Sequence, residues 1–375
     1  MRVAIDATPL LGSRTGVATF TGGLLRALGA SRAVEVDAFA LSLRGHRGLA
    51  RVLPDGVRAA AGLPMPAGAL TRAWRRSPAW PPLDAFLAGG GDGIDVVHGT
   101  NYVVPPARHA AEVVTVYDLT SLRFPELCTR ASLRYPDLVR RAAARGAWVH
   151  VLASVIGDEV VALLGVDRDR VRVVPSGVDA PTIPGDASEG QRIAGRERYV
   201  LFLGTAEPRK RLPDLVRAFD QLADGTDVGL VIAGPDGWGT DELVAAMDRA
   251  RNGRAIRRIG WVDDATRDDL LAGASVVAAP SVYEGFGYPP LEAMAAGVAV
   301  VATAAGSLPE VLGDAADLVP PGDVDALAAA LARVLDDAAH RAELIARGRA
   351  RAASFSWEQC AKAMVALYEE ADAAR

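Results

Sequence analysis

The sequence predicts an α/β protein that folds as two doubly wound domains, each built around a parallel sheet. Its 375 residues exceed the usual size of one hydrophobic core. Short runs rich in valine and isoleucine alternate with helical patterns, and this alternation starts afresh in the second half. Such apolar runs are typical of strands buried on both faces of a parallel sheet. We expect the carboxyl ends of the two sheets to face one cleft, where such folds bind ligands.

The apolar runs place the strands and the domain boundary. The first series comprises Arg2–Asp6, Ala33–Ala40, Ile94–His98, Val113–Tyr117, Trp148–Leu152 and Val171–Val174. The second comprises Tyr199–Leu203, Val228–Ala233, Ile256–Ile259, Ser275–Ala279, Val298–Val301 and Asp317–Val319. The segment Pro175–Arg198 between them is rich in proline, glycine, aspartate and serine, as interdomain connections are. We therefore predict an N-terminal domain over residues 1–178 and a C-terminal domain over residues 179–354.

The end of the chain predicts one more packing helix. Apolar residues recur at helical spacing within Phe355–Glu370, and the preceding Ser354-Phe-Ser356 suits an N-cap. We predict that residues 355–375 pack back toward the N-terminal domain.

The composition is typical of a soluble globular protein, with 50% hydrophobic and 23% charged residues. The weakly apolar run Ala293–Leu308 consists mostly of small residues within the α/β pattern, so we do not interpret it as a membrane span. The N-terminus, MRVAID, lacks the features of a signal peptide, and we expect a cytoplasmic protein. Cys128 and Cys360 are interpreted as free thiols.

The stretch Leu70–Leu87 mixes arginines with Trp74, Trp80 and several prolines. This composition suits peripheral docking at the inner face of the membrane or on a lipid-linked acceptor, and it suits a solvated loop equally well. No nucleic-acid partner is expected.

The stretch SVYEGFGYPPLEAMAAG, residues 281–297, carries the strongest chemical signal. It follows a predicted strand and leads into a helix with prolines in its first turn, where proline is favoured. Gly285 and Gly287 let a ligand approach the backbone, and the positive end of the helix suits a sugar diphosphate. Glu284 lies in the loop and Glu292 in the helix, so we expect them to contact different parts of the ligand.

A second loop, LGTAEPRKRL at residues 203–212, follows the first strand of the C-terminal domain. Its adjacent cations, Arg209 and Lys210, suit the stabilisation of a departing diphosphate. The chain contains only two lysines, Lys210 and Lys362, so a lysine at this place is unusual.

Loops after strands of the first domain supply further candidates. Gly12 and Gly16 precede a helix and could bring amide groups toward a ligand, or they could simply form a tight turn. His98 ends a strand, which leaves a catalytic and a structural role open. The Asp-x-Asp pairs at 167–169 and 323–325 lie in polar connections and are interpreted as solvated turns and helix starts.

Residues 281–297 closely resemble the EGFG…PxxEAMAxG signature of glycosyltransferase family 4, whose members are retaining enzymes of GT-B fold with two Rossmann-like domains. The loop 203–212 is similar to a GTxEPRKN variant found among members of that family, many of them mannosyltransferases, with Arg211 where the variant has Asn. The loops that begin at Asp95 and Thr115 resemble family loops on the acceptor side, with Tyr117 where many members have His.

The resemblance implies roles for individual residues. Glu284 would bind hydroxyls of the donor sugar, Glu292 would bind the ribose, and the N–H groups of Gly285 to Gly287 would line the sugar and phosphate site. The catalytic candidates are Glu284, Arg209, Lys210, Asp118 and His98. The donor-binding candidates are Gly16, Glu207, Gly234, Gly285, Phe286, Gly287, Tyr288 and Glu292. No metal ion and no other cofactor is expected.

The function implied is retaining transfer of a hexose from a sugar nucleotide to a glycan or lipid-linked acceptor, in the synthesis of a cell-surface polysaccharide or glycolipid. The favoured donor is GDP-mannose, from the resemblance of the 203–212 loop. Three alternatives stay open: hexosyl transfer from a UDP-sugar, a sugar-nucleotide epimerase, and a nucleotide-sugar-binding protein without activity.

Overall fold

The computed structural model describes residues 1–12, 15–42, 48–60, 72–74, 82–83, 87, 93–180, 185–224 and 226–375. The chain divides into two compact units. Unit 1 comprises Met1–Gly177 together with Phe355–Arg375, and unit 2 comprises Val178–Ser354. The first boundary therefore follows residue 177, where the sequence placed it after residue 178.

The proposed membrane-docking stretch Leu70–Leu87 lies largely outside the described residues, as do its members Arg75, Arg76 and Trp80. Trp74 is described and is 4% exposed. No helix in the described parts of the chain combines the length and the low polarity needed to cross a bilayer.

Unit 1 is built on a parallel sheet. Its strands are β1 (Arg2–Asp6), β2 (Glu35–Phe39), β3 (Val57–Ala59), β4 (Val96–Gly99), β5 (Ala111–Val116), β6 (Trp148–Val151) and β7 (Val171–Val173). They pair in the order β3-β2-β1-β4-β5-β6-β7. The first helices are α1 (Gly16–Ser31), α2 (Leu49–Val52), α3 (Thr120–Arg123), α4 (Tyr135–Ala144) and α5 (Ser154–Leu164). Every residue of β4 and β5 is buried, as expected for strands covered on both faces.

Unit 2 repeats this architecture. Its strands are β8 (Arg198–Leu203), β9 (Val228–Ala233), β10 (Ile256–Gly260), β11 (Val276–Ala279), β12 (Val300–Thr303) and β13 (Asp317–Val319), in the order β10-β9-β8-β11-β12-β13. Its helices are α6 (Ala187–Ala194), α7 (Leu212–Leu222), α8 (Thr240–Arg249), α9 (Asp264–Gly273), α10 (Tyr288–Ala296), α11 (Leu308–Leu312), α12 (Val324–Asp336) and α13 (Ala338–Ala353). Phe219 of α7 and Leu331 of α12 are fully buried in the core with Leu230 of β9. The predicted α/β class with two parallel sheets is confirmed.

The last helix, α14 (Trp357–Ala373), belongs to unit 1 and packs against α1, β4 and β5. The Ser356 side chain accepts a hydrogen bond from Gln359 N at its start, as the sequence predicted for an N-cap. Met364 and Tyr368 are fully buried, so this helix covers part of the first sheet although it lies at the far end of the chain.

A chain of buried hydrogen bonds joins α14 to the sheet of unit 1. His150 Nε2 lies 2.9 Å from Val174 O and must donate to it, so His150 Nδ1 accepts from Thr115 Oγ1 at 2.9 Å. Thr115 Oγ1 in turn accepts from His98 Nε2 at 2.8 Å, and His98 Nδ1 accepts from the Tyr368 hydroxyl at 2.8 Å. Burial lowers the pKa of both histidines, so both imidazoles are neutral at neutral pH. With neutral rings, the carbonyl at one end fixes the direction of every bond.

Acid should destabilise unit 1 through these histidines. Burial lowers the pKa of His150 from 6.5 to about 4, and burial with the neighbouring His150 lowers the pKa of His98 well below its ordinary value. Between pH 6.5 and 4 the unfolded chain binds protons that the folded chain does not, so stability falls as pH falls. His150 alone is expected to account for about 3 kcal/mol of unfolding free energy across this window.

The measurement is the urea midpoint of unit 1 between pH 7.5 and pH 4.5, for the native chain and for His150→Gln. Burial raises the pKa of Asp6 to about 6, so Asp6 titrates with the opposite sign and the difference between the two proteins is the informative quantity. The variant should lose less stability on acidification. Parallel pH profiles for the two proteins would contradict this account.

Candidate active site

The loops after β8 and β11 meet at the centre of the second sheet. The chain builds β8, β9 and β10 toward one edge and then places β11 on the other side of β8. Ligands of doubly wound folds bind outside the carboxyl ends of the strands at such a switch point. A hydrogen bond of 3.0 Å from Val282 N to Arg209 O ties the two loops together. Both sequence motifs therefore come to one place within unit 2.

Glu284 lies at the centre of this site. Arg209 Nη1 donates to its Oε2 at 2.7 Å, and Lys210 Nζ donates to its Oε1 at 2.5 Å. Ser281 Oγ donates to the same Oε1 at 2.6 Å. The side chains of the three charged residues are 10%, 15% and 13% exposed for Glu284, Arg209 and Lys210. The Glu284 carboxylate is thus partly enclosed and accepts a hydrogen bond from a cation on each of its two oxygens.

Arg209 and Lys210 determine the charge state of Glu284. Burial alone would raise the pKa of Glu284, but Arg209 and Lys210 outweigh it and lower the pKa to about 2. Glu284 is therefore ionised at neutral pH. Arg209 also contacts Glu207, whose Oε2 lies 3.3 Å from Nη2. The site thus holds two cations in fixed positions beside a carboxylate, which can accept hydrogen bonds from ligand hydroxyls.

The loop after β12 holds the backbone of Glu284 in place. Ser307 donates to Glu284 O twice, from its amide at 2.9 Å and from its hydroxyl at 3.0 Å. Gly306 has a φ of 55°, and a Cβ there would lie 2.2 Å from Glu284 O. Only glycine allows this close approach. The loop from β12 is therefore part of the site.

Helix α10 begins directly after the glycine loop. Gly287 has a φ of 93° and occupies the N-cap position, and prolines follow it in the first turn, as the sequence predicted. The rings of Phe286 and Tyr288 are 4% and 8% exposed and pack edge to face, with centroids 5.1 Å apart. Because both rings are buried, Phe286 and Tyr288 can offer a ligand their backbone groups.

Glu292 occupies a different position from Glu284. It lies on α10, and its Oε1 is 3.1 Å from Arg267 Nη1 of α9.

Gly234, another donor-binding candidate, follows β9 with a φ of 150°, and a Cβ there would lie 1.9 Å from Gly204 O. Gly234 allows two loops of the sheet edge to meet closely.

The candidates in unit 1 have varied surroundings. Gly16 is an exposed first residue of α1, with Thr15 as the N-cap. Asp118 Oδ1 accepts from Thr120 N at 3.0 Å, so this carboxylate helps to begin α3. His98 is fully buried, and both of its ring nitrogens are bonded within the protein. Its placement does not support the catalytic role considered for it and agrees with the structural alternative.

The family models and the relatives identify the chain. The description "Glycosyltransferase Family 4" matches residues 14–181, and "Glycosyl transferases group 1" matches residues 186–351. The O-antigen chain mannosyltransferase B of Escherichia coli is 33% identical over 282 residues, which cover 73% of this chain and 74% of that protein. The chain belongs to glycosyltransferase family 4. The resemblance inferred from the motifs is confirmed, and so is the enzyme class, a hexosyltransferase.

Another relative of this family 4 glycosyltransferase is the MMP alpha-(1->4)-mannosyltransferase of Mycolicibacterium hassiacum, 35% identical over 227 residues. The match covers 59% of this chain and 53% of that protein, so the chain matches about half the length of this relative. The solved structure of sucrose-phosphate synthase from Thermosynechococcus elongatus covers 100% of both chains with a TM-score of 0.76 at 21% identity. This likeness shows the fold and confirms the predicted GT-B architecture.

Tyr117 of this family 4 glycosyltransferase is the residue at which the motif resemblance implies a His in many members. Its hydroxyl donates to Thr100 O at 2.7 Å, and the residue is 7% exposed. Burial raises the pKa of Tyr117 well above 10, so the phenol stays protonated at neutral pH. Tyr117 therefore serves as a buried link between the loops after β4 and β5.

Sequence reasoning did not assign roles to Ser281, Gly306 and Ser307, although all three contact or accommodate Glu284. Ser281 lay inside the motif already singled out. Gly306 and Ser307 follow β12 directly before a helix, and this strand-loop-helix pattern was the signal that could have found them. The Asp-x-Asp pairs behave as interpreted, because Asp167 and Asp323 cap a short 3₁₀ turn and α12.

Proposed function

We propose that this glycosyltransferase transfers mannose from GDP-mannose to a hydroxyl group of a glycan or lipid-linked acceptor, with retention of the anomeric configuration. The observation that carries the proposal is the placement of Glu284 between Arg209 and Lys210 beside the glycine loop. A carboxylate that accepts from sugar hydroxyls lies next to cations that suit a diphosphate. The mannosyltransferase names of two relatives support the choice of sugar.

The reaction breaks the bond between the anomeric carbon and the diphosphate oxygen and forms a bond from that carbon to the acceptor oxygen. Negative charge develops on the departing diphosphate, and Arg209 and Lys210 stabilise it. The proton of the acceptor hydroxyl passes to the departing phosphate on the same face of the sugar. N–H groups of Gly285 to Gly287 line the sugar and phosphate, and no metal ion is required.

Further residues at the same edge of unit 2 complete the proposed donor site. Glu292 binds the ribose, Glu207 orients Arg209, and Gly234 lets the loops after β8 and β9 meet beside the nucleotide. The base lies over the segments 234–239 and 259–263, at the carboxyl ends of β9 and β10. Trp238 and Trp261 in these segments are 51% and 62% exposed, so each segment presents a large aromatic side chain.

The test is a panel of nucleotide sugars, including GDP-mannose, GDP-glucose and UDP-glucose, offered with methyl α-D-mannoside and with octyl α-D-mannoside as acceptors. We expect consumption of GDP-mannose and an α-linked mannoside, identified by NMR of the anomeric proton. GDP should compete better than UDP. A β-linked product, or turnover of UDP-glucose alone, would contradict the proposal. An isomerised donor would indicate an epimerase, and binding without turnover would indicate a binding protein.

A further inference from the structure

The first sheet has a switch point of its own. The chain builds β1, β2 and β3 toward one edge and then places β4 on the other side of β1. Asp6 is the last residue of β1 and therefore lies at the carboxyl end beside this switch point. The residue is 4% exposed. Asp6 lies outside the sequence motifs described above.

Of the two carboxylate oxygens of Asp6, Oδ1 receives the hydrogen bonds. Thr8 donates to Oδ1 from its amide at 2.9 Å and from its hydroxyl at 2.5 Å. The Thr8 hydroxyl is itself fixed, because it accepts from Leu41 N at 2.8 Å. Thr100, after β4, donates to the backbone oxygen of Asp6 at 2.7 Å. Within the described ranges, no hydrogen bond or ion pair reaches Oδ2.

Asp6 differs in this respect from every other buried carboxylate that the structure describes. Each of the others contacts a cationic side chain. These carboxylates are Asp37, Glu112, Glu159, Asp214, Glu284 and Asp317. A buried carboxylate without a cation is costly to keep ionised, and burial accordingly raises the pKa of Asp6 from 3.8 to about 6 although the Thr8 contacts lower it. Such groups concentrate at functional sites.

The neighbouring polar groups at this edge are already engaged. The Tyr117 hydroxyl donates to Thr100 O, and the His98 ring is bonded on both sides. Asp6 Oδ2 is thus a hydrogen-bond acceptor without a partner among the described residues. It lies at the carboxyl end of the strands, where doubly wound folds bind ligands. A phosphate there would meet a like charge, whereas a hydroxyl group would donate to the carboxylate.

We propose that Asp6 is part of the acceptor site: its Oδ2 accepts a hydrogen bond from a hydroxyl group of a sugar or polyol acceptor and positions that acceptor for transfer. The inference rests on the proposed function, because it assigns the ligand of unit 1 as the acceptor. It predicts that the part of the acceptor nearest β1 is a neutral polyhydroxylated group.

The test compares Asp6→Asn with Asp95→Asn. Asp95 lies just before β4 at the amino end of the same sheet, where it accepts from Arg2 N, so the control removes one carboxylate from the opposite edge. For Asp6→Asn we expect kcat/KM for methyl α-D-mannoside to fall on the order of tenfold to a hundredfold, as for loss of a hydrogen bond to a charged group. The affinity for GDP-mannose and its slow hydrolysis by water should stay within about twofold, since neither requires the acceptor. Asp95→Asn should match the native chain.

A second readout is the pH profile. The KM for the acceptor should rise below pH 6 in the native chain, as the carboxylate takes up a proton, and should stay flat in Asp6→Asn. Thr8→Val keeps the carboxylate and should show a smaller loss in the same direction, which covers the case that Asp6→Asn does not fold. Native acceptor kinetics in Asp6→Asn and Thr8→Val, or equal losses of donor and acceptor binding, would overturn the assignment. If the native chain neither binds nor consumes GDP-mannose, the proposed function fails instead.

Discussion

Replacing Lys210 with Ala is expected to lower the rate of mannosyl transfer on the order of a hundredfold or more, which is the usual effect of removing one group that stabilises developing negative charge. Lys210 lies 2.5 Å from Glu284 and its side chain is 13% exposed. It is therefore held in place before any ligand arrives. Since the charge on the diphosphate is largest as the glycosidic bond breaks, kcat should fall more than the affinity for GDP-mannose.

Lys362 offers a matched control. It is the only other lysine of the sequence and lies exposed on α14, so Lys362→Ala removes the same side chain away from the site. Its transfer rate should equal that of the native chain. Lys210→Arg keeps the charge but replaces a compact ammonium by a planar fork, and only partial activity is expected. Near-native kcat in Lys210→Ala, measured in the same assay, would remove the basis of the proposed mechanism.

The sheets could be predicted well because parallel strands buried on both faces leave continuous apolar runs. Val228–Ala233 and Asp317–Val319 have the same bounds in the sequence and in the structure. The strand Val57–Ala59 was missed. It has three residues, and two of them are exposed at the edge of the sheet, so no apolar run marks it.

Contacts between distant parts of the chain explain most of what the sequence could not predict. His98 stands at the end of a strand, in a segment that resembles an acceptor loop of the family, and its local sequence suits either role. The hydrogen bonds of its ring depend on Tyr368, which is 270 positions away, and on a chain of bonds that ends at Val174 O. No local pattern carries this information.

The site itself was predictable in part. The sequence placed Arg209, Lys210 and Glu284 at the ends of strands, and the sheet order brings them together. Arg211, where the similar motif has Asn, adopts a φ of 51° in the left-handed region, a conformation that Asn accepts readily. The supporting contacts from Ser307 required the fold, because they come from the loop after β12, which is the sheet neighbour of the strand β11 that precedes Glu284.

Replacing Glu284 with Gln or Ala is expected to lower transfer on the order of a hundredfold or more, but with a different signature from Lys210→Ala. Glu284 is the shared acceptor of Arg209, Lys210 and Ser281. Without its charge, the two cations lose their common partner and repel each other. The free energy of unfolding of unit 2 should therefore fall, since breaking a buried ion pair leaves charges uncompensated.

The affinity for GDP separates the proposed role from a purely structural one. In Glu284→Gln the two cations face the diphosphate without a competing carboxylate, so GDP should bind at least as tightly as in the native chain while transfer collapses. Calorimetric titration of GDP and the transfer assay, run on the same preparation, measure both quantities. Glu242→Gln on α8 removes an exposed carboxylate of the same unit and should change neither. If Glu284 only held the loops in place, GDP affinity and transfer would decline together, because both depend on the position of Arg209 and Lys210. Retained GDP binding with lost transfer is thus what a donor-sugar contact requires.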